Sequence, residues 1–122
     1  MTIKYKIGRA RLRDEELLYP RLVPEETTSA QEFQDKVAQR AARGLADVVA
    51  VFIAAREVLL EELLEKQAVQ MPGLGTFTLS IQGELDDKKR LISQSARLNI
   101  NYRPQRSLRR DVNRNPGFEY VG

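Results

Sequence analysis

The stretch LADVVAVFIAAREVLLEELL, residues 45–64, restricts the possible folds more than any other part of the chain. Apolar residues at 45, 48, 52, 55, 59 and 63 recur at helical spacing and are joined by Val49, Ile53, Leu60 and Leu64. That stripe is wider than a helix with one neighbour can bury. In 122 residues, the core available within a single copy is thin. The helix is therefore expected to lie in a core completed by a second copy, with Phe52, Leu59, Leu60, Leu63 and Leu64 in it and Phe77 alongside. Each such side chain, fully buried, would favour association by about 1.5–3 kcal/mol before entropy is counted. The simpler alternative is a core helix of a monomer.

An earlier helix is expected from Thr28 or Ser29, where Ser29 and Glu32 have capping-box spacing and Phe33, Val37 and Ala41 form a narrow apolar side. Gly44 would end it, and the long helix would then run from Leu45 or Ala46 to Glu65, with Asp47 near its positive end. Before these helices, Ile3, Tyr5 and Ile7 alternate with Lys4 and Lys6 as in an edge strand, followed by a segment punctuated by Pro20 and Pro24. Residues 1–27 thus read as an extension whose added strand extends the sheet or packs across a partner, or as a partly ordered tail.

After the long helix comes QMPGLGTF, a turn in which Gly73 and Gly75 permit a sharp reversal between a short strand at Ala68 to Met71 and a longer one. It lacks the GxxxxGK[ST] pattern of a phosphate-cradling loop and follows a helix rather than a strand. Phe77, Leu79 and Ile81 take one face of the second strand, and Thr76, Thr78, Ser80 and Gln82 the other. Residues 83–96 form an arm or tip. A third strand turns Leu98, Ile100 and Tyr102 inward and Arg97, Asn99, Asn101 and Arg103 outward, giving a sheet with a solvent- or ligand-facing polar side. Pro104 fits the first turn of a short final helix with Leu108 and Val112, which carries Arg106 and Arg109, with Arg110 on a different face. Pro116 and Gly117 end it, and FEYVG can add a last short strand. The fold class is α+β.

Composition narrows the chemistry. With 42% hydrophobic and 30% charged residues the chain is globular rather than disordered. It has no Cys and no His, which removes disulfides, thiolate sites, the commonest metal ligand and the usual neutral-pH general base. No nucleophile–base spacing is visible, and adjacent acids such as Asp86 and Asp87 do not make a calcium site. The expectation is a non-enzyme without cofactor or metal. No secretory pattern and no apolar run of about 18 residues occurs, so a cytoplasmic protein without membrane association is expected.

The net charge of +3 hides a strong segregation. Residues 1–13 hold five basic side chains and no acid, and residues 14–66 hold six basic against twelve acidic. Residues 88–114 hold Lys88, Lys89, Arg90, Arg97, Arg103, Arg106, Arg109, Arg110 and Arg114 against Asp111 alone. A basic span beside an acidic helical body gives the molecule a preferred face for a polyanion.

Taken in order, two helices, PGLGTFTLS, a variable hairpin and NINYRPQRSLRRDV resemble the bacterial histone-like HU and integration-host-factor superfamily, most of all its HU-related members with an additional N-terminal segment. The resemblance covers about residues 28–112. GLGTF is similar to the family's GFGTF strand entry, and Tyr102-Arg103-Pro104 through Leu108 to its aromatic-basic entry into the final helix. It implies an HU-like dimerisation and DNA-binding domain at residues 28–122, built as an intertwined homodimer with a two-helix body, a three-stranded antiparallel sheet and a short final helix. The two arms would reach toward double-stranded DNA, which such proteins bind in the minor groove and can bend. By that likeness Lys88, Lys89, Arg90 and Arg97 are arm contacts, and Arg103, Arg106 and Arg109 contacts from the saddle or final helix. They would neutralise phosphates with little sequence preference, in a nucleoid-associated role.

One departure matters. The arm tip of DNA-bending members carries Arg-Asn-Pro, whose proline wedges between base pairs, whereas GELDDKKRLISQSAR has no proline and includes Glu84, Asp86 and Asp87. Leu85 or Leu91 is expected to pack the tip rather than act as a wedge. The Arg-Asn-Pro at residues 114–116 follows the final helix and reads as a turn. The alternative is an HU-like dimeric structural or protein-interaction module with weak or absent DNA binding.

Overall fold

The computed structural model describes residues 2–122. Two three-stranded sheets flank a pair of helices in chain order: β1 (Thr2–Leu12), β2 (Glu15–Leu22), α1 (Ala30–Ala41), α2 (Leu45–Lys66), β3 (Ala68–Met71), β4 (Gly75–Gln82), β5 (Arg97–Pro104), α3 (Arg106–Val112) and β6 (Gly117–Tyr120).

Helix α1 begins where Ser29 Oγ accepts the Glu32 N–H at 3.1 Å, filling one of the unpaired donors at a helix start. Its end differs from the expectation at Gly44. Ala42 takes the left-handed conformation (φ 53°), and the Arg43 N–H bonds back to the Ala38 carbonyl at 3.1 Å, closing the helix two residues earlier. Gly44 instead caps the start of α2, its carbonyl accepting the N–H groups of Asp47 and Val48. At the far end Gln67 is left-handed (φ 65°), and its side-chain amide donates to the carbonyls of Leu64 and Glu65. Phe33 meets Phe52 edge to face at 6.0 Å, joining the two helices.

Little of the apolar stripe is covered. Among the described residues the only buried apolar side chains are those of Ala38, Val48 and Leu63, whereas Phe52, Leu60 and Leu64 are exposed and Leu59 and Phe77 half-buried. Leu63 is thus packed within its own chain, while Leu60 and Leu64 remain open.

The opening strand is not an edge strand. β1 is the centre of the sheet β2-β1-β6, pairing antiparallel with β2 and parallel with β6. The proline-containing segment expected as punctuation is partly strand. Pro20 sits in β2 opposite Ile7, on a sheet edge where its missing N–H leaves no ladder bond unmade. The hairpin turns at Arg13 and Asp14, both with positive φ (51° and 67°), as a two-residue hairpin loop requires. Lys4 bridges to Glu25 at 3.0 Å, and this hydrogen-bonded carboxylate raises the amine above its ordinary pKa. The final strand forms as anticipated, with Tyr120 beside Tyr5 at 5.8 Å between ring centres.

Candidate nucleic-acid interface

The second sheet, β3-β4-β5, carries the polar face that the sequence marks as the candidate interface. Its register pairs Phe77 with Tyr102, Leu79 with Ile100 and Ile81 with Leu98 on one face, but Leu98, Ile100 and Tyr102, expected to face the core, are exposed because no element among the described residues covers them. The other face holds Thr76 opposite Arg103, Thr78 opposite Asn101, Ser80 opposite Asn99 and Gln82 opposite Arg97. Asn101 Nδ2 donates to Ser80 Oγ at 3.0 Å, bracing this polar side. Gln70, opposite Thr76, extends it onto β3, a strand whose four residues are too few for a period-two signal to reveal the face beforehand.

The glycine turn anchors the basic end of this face. Gly73 has φ +72° with open space where a Cβ would stand. Gly75 (φ +149°) is buried, and a Cβ there would collide with the Arg103 carbonyl and the Pro104 backbone. The intervening Leu74 carbonyl accepts both the Tyr102 hydroxyl at 2.7 Å and the Gln105 N–H at 2.8 Å. The turn therefore clamps the junction between β5 and α3, and with it Arg103 and Arg106. It is a structural clamp, with no phosphate loop geometry.

That clamp explains why Pro104 does not open the final helix. Pro104 closes β5 opposite Gly75, Gln105 stays extended (ψ 142°) while its N–H is held by Leu74, and the helix starts at Arg106. On α3, Arg110 lies about 40° from Arg106 at 100° per residue and Arg109 about 60° to the other side, so all three share a broad side. Asp111 engages Arg114 at 3.1 Å and Arg110 at 3.8 Å. Among the described residues Arg97, Arg103, Arg106 and Arg109 have no carboxylate partner within ion-pair distance. Arg97 and Arg103 sit at opposite ends of one strand, six residues or about 20 Å apart at strand rise.

Lys88, Lys89 and Arg90 form a separate group at the arm tip. Asp86 Oδ1 accepts the Lys88 and Arg90 N–H groups at 2.9 and 3.0 Å, and the Asp86 N–H bonds the Arg90 carbonyl at 2.8 Å. Leu85 and Leu91 face each other in a bridge beneath this turn, and Ser95 Oγ accepts the Glu84 N–H at 2.8 Å. The acidic residue thus folds the tip, a role its charge alone does not suggest. At residues 114–117 the chain turns through Asn115 (φ 51°) into β6.

No helix is long and apolar enough to cross a membrane, and no cluster of three or more potential metal ligands occurs among the described residues. Solved structures share the architecture. A protein from Bacteroides vulgatus, described as a candidate bacterial DNA-binding protein, superposes with a TM-score of 0.77 at 11% identity over 99% of this chain and 49% of its own. The chain therefore spans about half the length of that protein. A single-substitution mutant of HU from Thermotoga maritima matches at TM-score 0.51 and 20% identity, over 70% of this chain and 99% of its own. HU from Anabaena, crystallised with DNA, matches at 0.53 and 24%, over 68% and 95%. Among curated proteins none matches. The sequence pattern of the HU-HIG family, described as an HU domain fused to wHTH, Ig or glycine-rich motifs, matches residues 1–119, terminal sheet included, and the chain belongs to that family.

Proposed function

We propose that the chain binds double-stranded DNA as a homodimer, without catalysis and largely without sequence preference, in a cytoplasmic, nucleoid-organising role with at most modest bending. The observation that carries this reading is the polar face of β4 and β5, with Arg97 and Arg103 at its two ends and Arg106 and Arg109 continuing from it on α3. Guanidinium groups free of carboxylate partners are available to phosphates, where they displace counterions and set the position of the duplex. Arg103 and Arg106, held by the glycine-turn clamp, are the principal contacts in this reading, with Lys88, Lys89 and Arg90 touching the backbone from the arm. The DNA in the Anabaena HU crystal supports the same choice of partner. Phe52, Leu59, Leu60, Leu64 and Phe77 belong to the dimer core in this reading, whereas Leu63 is already packed within its own chain. The proline-free, hydrogen-bonded tip favours binding over sharp kinking.

The test is binding to a series of duplex lengths as salt is raised, with mass measured in the same buffer. A dimer whose affinity falls with salt is expected. Replacing Arg103, Arg106 and Arg109 together by Gln should weaken all duplex sequences alike and flatten the salt slope by about 0.9 for each phosphate no longer neutralised, or about 5 across two copies. Affinity indifferent to salt would overturn the reading. A stable dimer with no affinity at low salt would instead support a structural or protein-interaction module, the reading favoured by Glu84, Asp86 and Asp87 at the tip.

A further inference from the structure

The terminal sheet has two unlike faces. The register β2-β1-β6 puts Ile3, Ile7, Leu18, Leu22, Phe118 and Tyr120 on one side. All six are between 38% and 64% exposed. Charges on this side, Arg9, Arg11 and Glu16, are confined to the hairpin end. The opposite side mixes Lys4, Lys6, Arg21, Glu15 and Glu119 with Leu17 and Tyr19. Among the described residues neither the helices nor the second sheet packs extensively on the terminal sheet, which is tethered to the body at both ends, through residues 23–29 and 113–116.

Surface area says how much cover is missing. The chain exposes 11339 Å², where a compact monomer of 13.9 kDa exposes about 6,700 Å². The excess is roughly 4,600 Å², against about 1,000–2,500 Å² or more buried per partner in obligate homodimers, so the area favours a dimer contact that extends beyond α2. Nine exposed large apolar side chains stand on the strands of the terminal sheet, against seven on α2, so covering α2 alone leaves those nine open.

We propose that the apolar face of the terminal sheet is a second dimer contact, buried against the other copy of this chain. This rests on the homodimer reading above and extends it. The near absence of charge over most of the face excludes a polyanion as its occupant. Once two bodies associate, the short tethers hold each sheet beside the partner at an effective concentration on the order of millimolar, so no third component is required. The sheet thereby clamps a dimer whose helices already need one another.

The chain contains no Cys, so single introduced thiols report cleanly. Leu18→Cys and Phe118→Cys place them on the apolar face, and Leu17→Cys, one residue away, on the other. Maleimide labelling of each full-length variant is followed across protein concentrations, with mass measured by sedimentation. In the dimer the thiols at 18 and 118 should label at least tenfold more slowly than the thiol at 17, and the difference should vanish on dilution to monomer. Equal labelling at dimer mass would overturn the proposal while leaving the dimer intact, and would mark the face as open to a different partner. Protection that persists in the monomer would overturn it by assigning the cover to the chain's own body. A monomer at every concentration would defeat the homodimer reading itself.

Discussion

Replacing Gly75 by alanine should be among the most damaging single-methyl additions to this chain, and Gly73→Ala is its control. Both residues have positive φ, so both substitutions incur left-handed strain of about 1–2 kcal/mol, partly offset by the stiffer unfolded chain. At Gly73 nothing else opposes the methyl group, and the net cost should be about 1 kcal/mol. At Gly75 the new Cβ meets backbone, the Arg103 carbonyl and Pro104 Cα, which no side-chain rotation can relieve. The end of β5 must move away from β4, weakening the bonds that Gln105 and the Tyr102 hydroxyl make to the Leu74 carbonyl, each contributing about 1 kcal/mol. The total should reach about 3–4 kcal/mol, a large part of the 5–15 kcal/mol typical of a folded domain. Urea unfolding at one fixed protein concentration measures both variants, since dimerisation makes midpoints concentration-dependent. If Gly75→Ala unfolds within about 1 kcal/mol of Gly73→Ala, the clamp does not hold the junction as described.

Three further outcomes are expected. Ala42→Gly should stabilise the protein by about 0.5–1 kcal/mol in the same assay, because it relieves the left-handed strain at the end of α1; a loss of stability would contradict that account. Asp86→Ala should free the Lys88 and Arg90 N–H groups, seen as faster amide hydrogen exchange at the tip with unchanged exchange in α2. Tyr102→Phe should cost only about 0.5–1 kcal/mol, since the Leu74 carbonyl keeps its bond from Gln105, and a cost above 2 kcal/mol would mean that the hydroxyl does more than brace the turn.

The parts legible in the sequence were those with repeated local spacing. Alternation in TFTLSIQ and RLNINYR gave both faces of β4 and β5, and Ser29 before Glu32 gave the start of α1. The terminal sheet was harder to read. Its hairpin turns on Arg13-Asp14 in place of the Asn-Gly that usually marks such a loop, and Pro20 hides β2 because only an edge position accommodates it. The pairing of β1 with β6 joins residues more than a hundred positions apart and leaves no local trace. For the candidate interface, the arginines stood out by charge, but their anchorage through Leu74 and the folding role of Asp86 depend on backbone contacts that composition does not carry.

The parallel pair of β1 and β6 also sets an order of events during synthesis. Thr2 must wait for Gly117, so the hairpin made first lacks its third strand until β6, more than ninety residues beyond β2, has been translated. At about 5–20 residues per second, the interval between Leu22 and Tyr120 is on the order of 5–20 s. Throughout it, the β1 edge that will receive β6 is unpaired and next to an apolar surface, the combination that invites pairing with the wrong strand. The nascent hairpin is therefore open to mispairing for the whole of that interval.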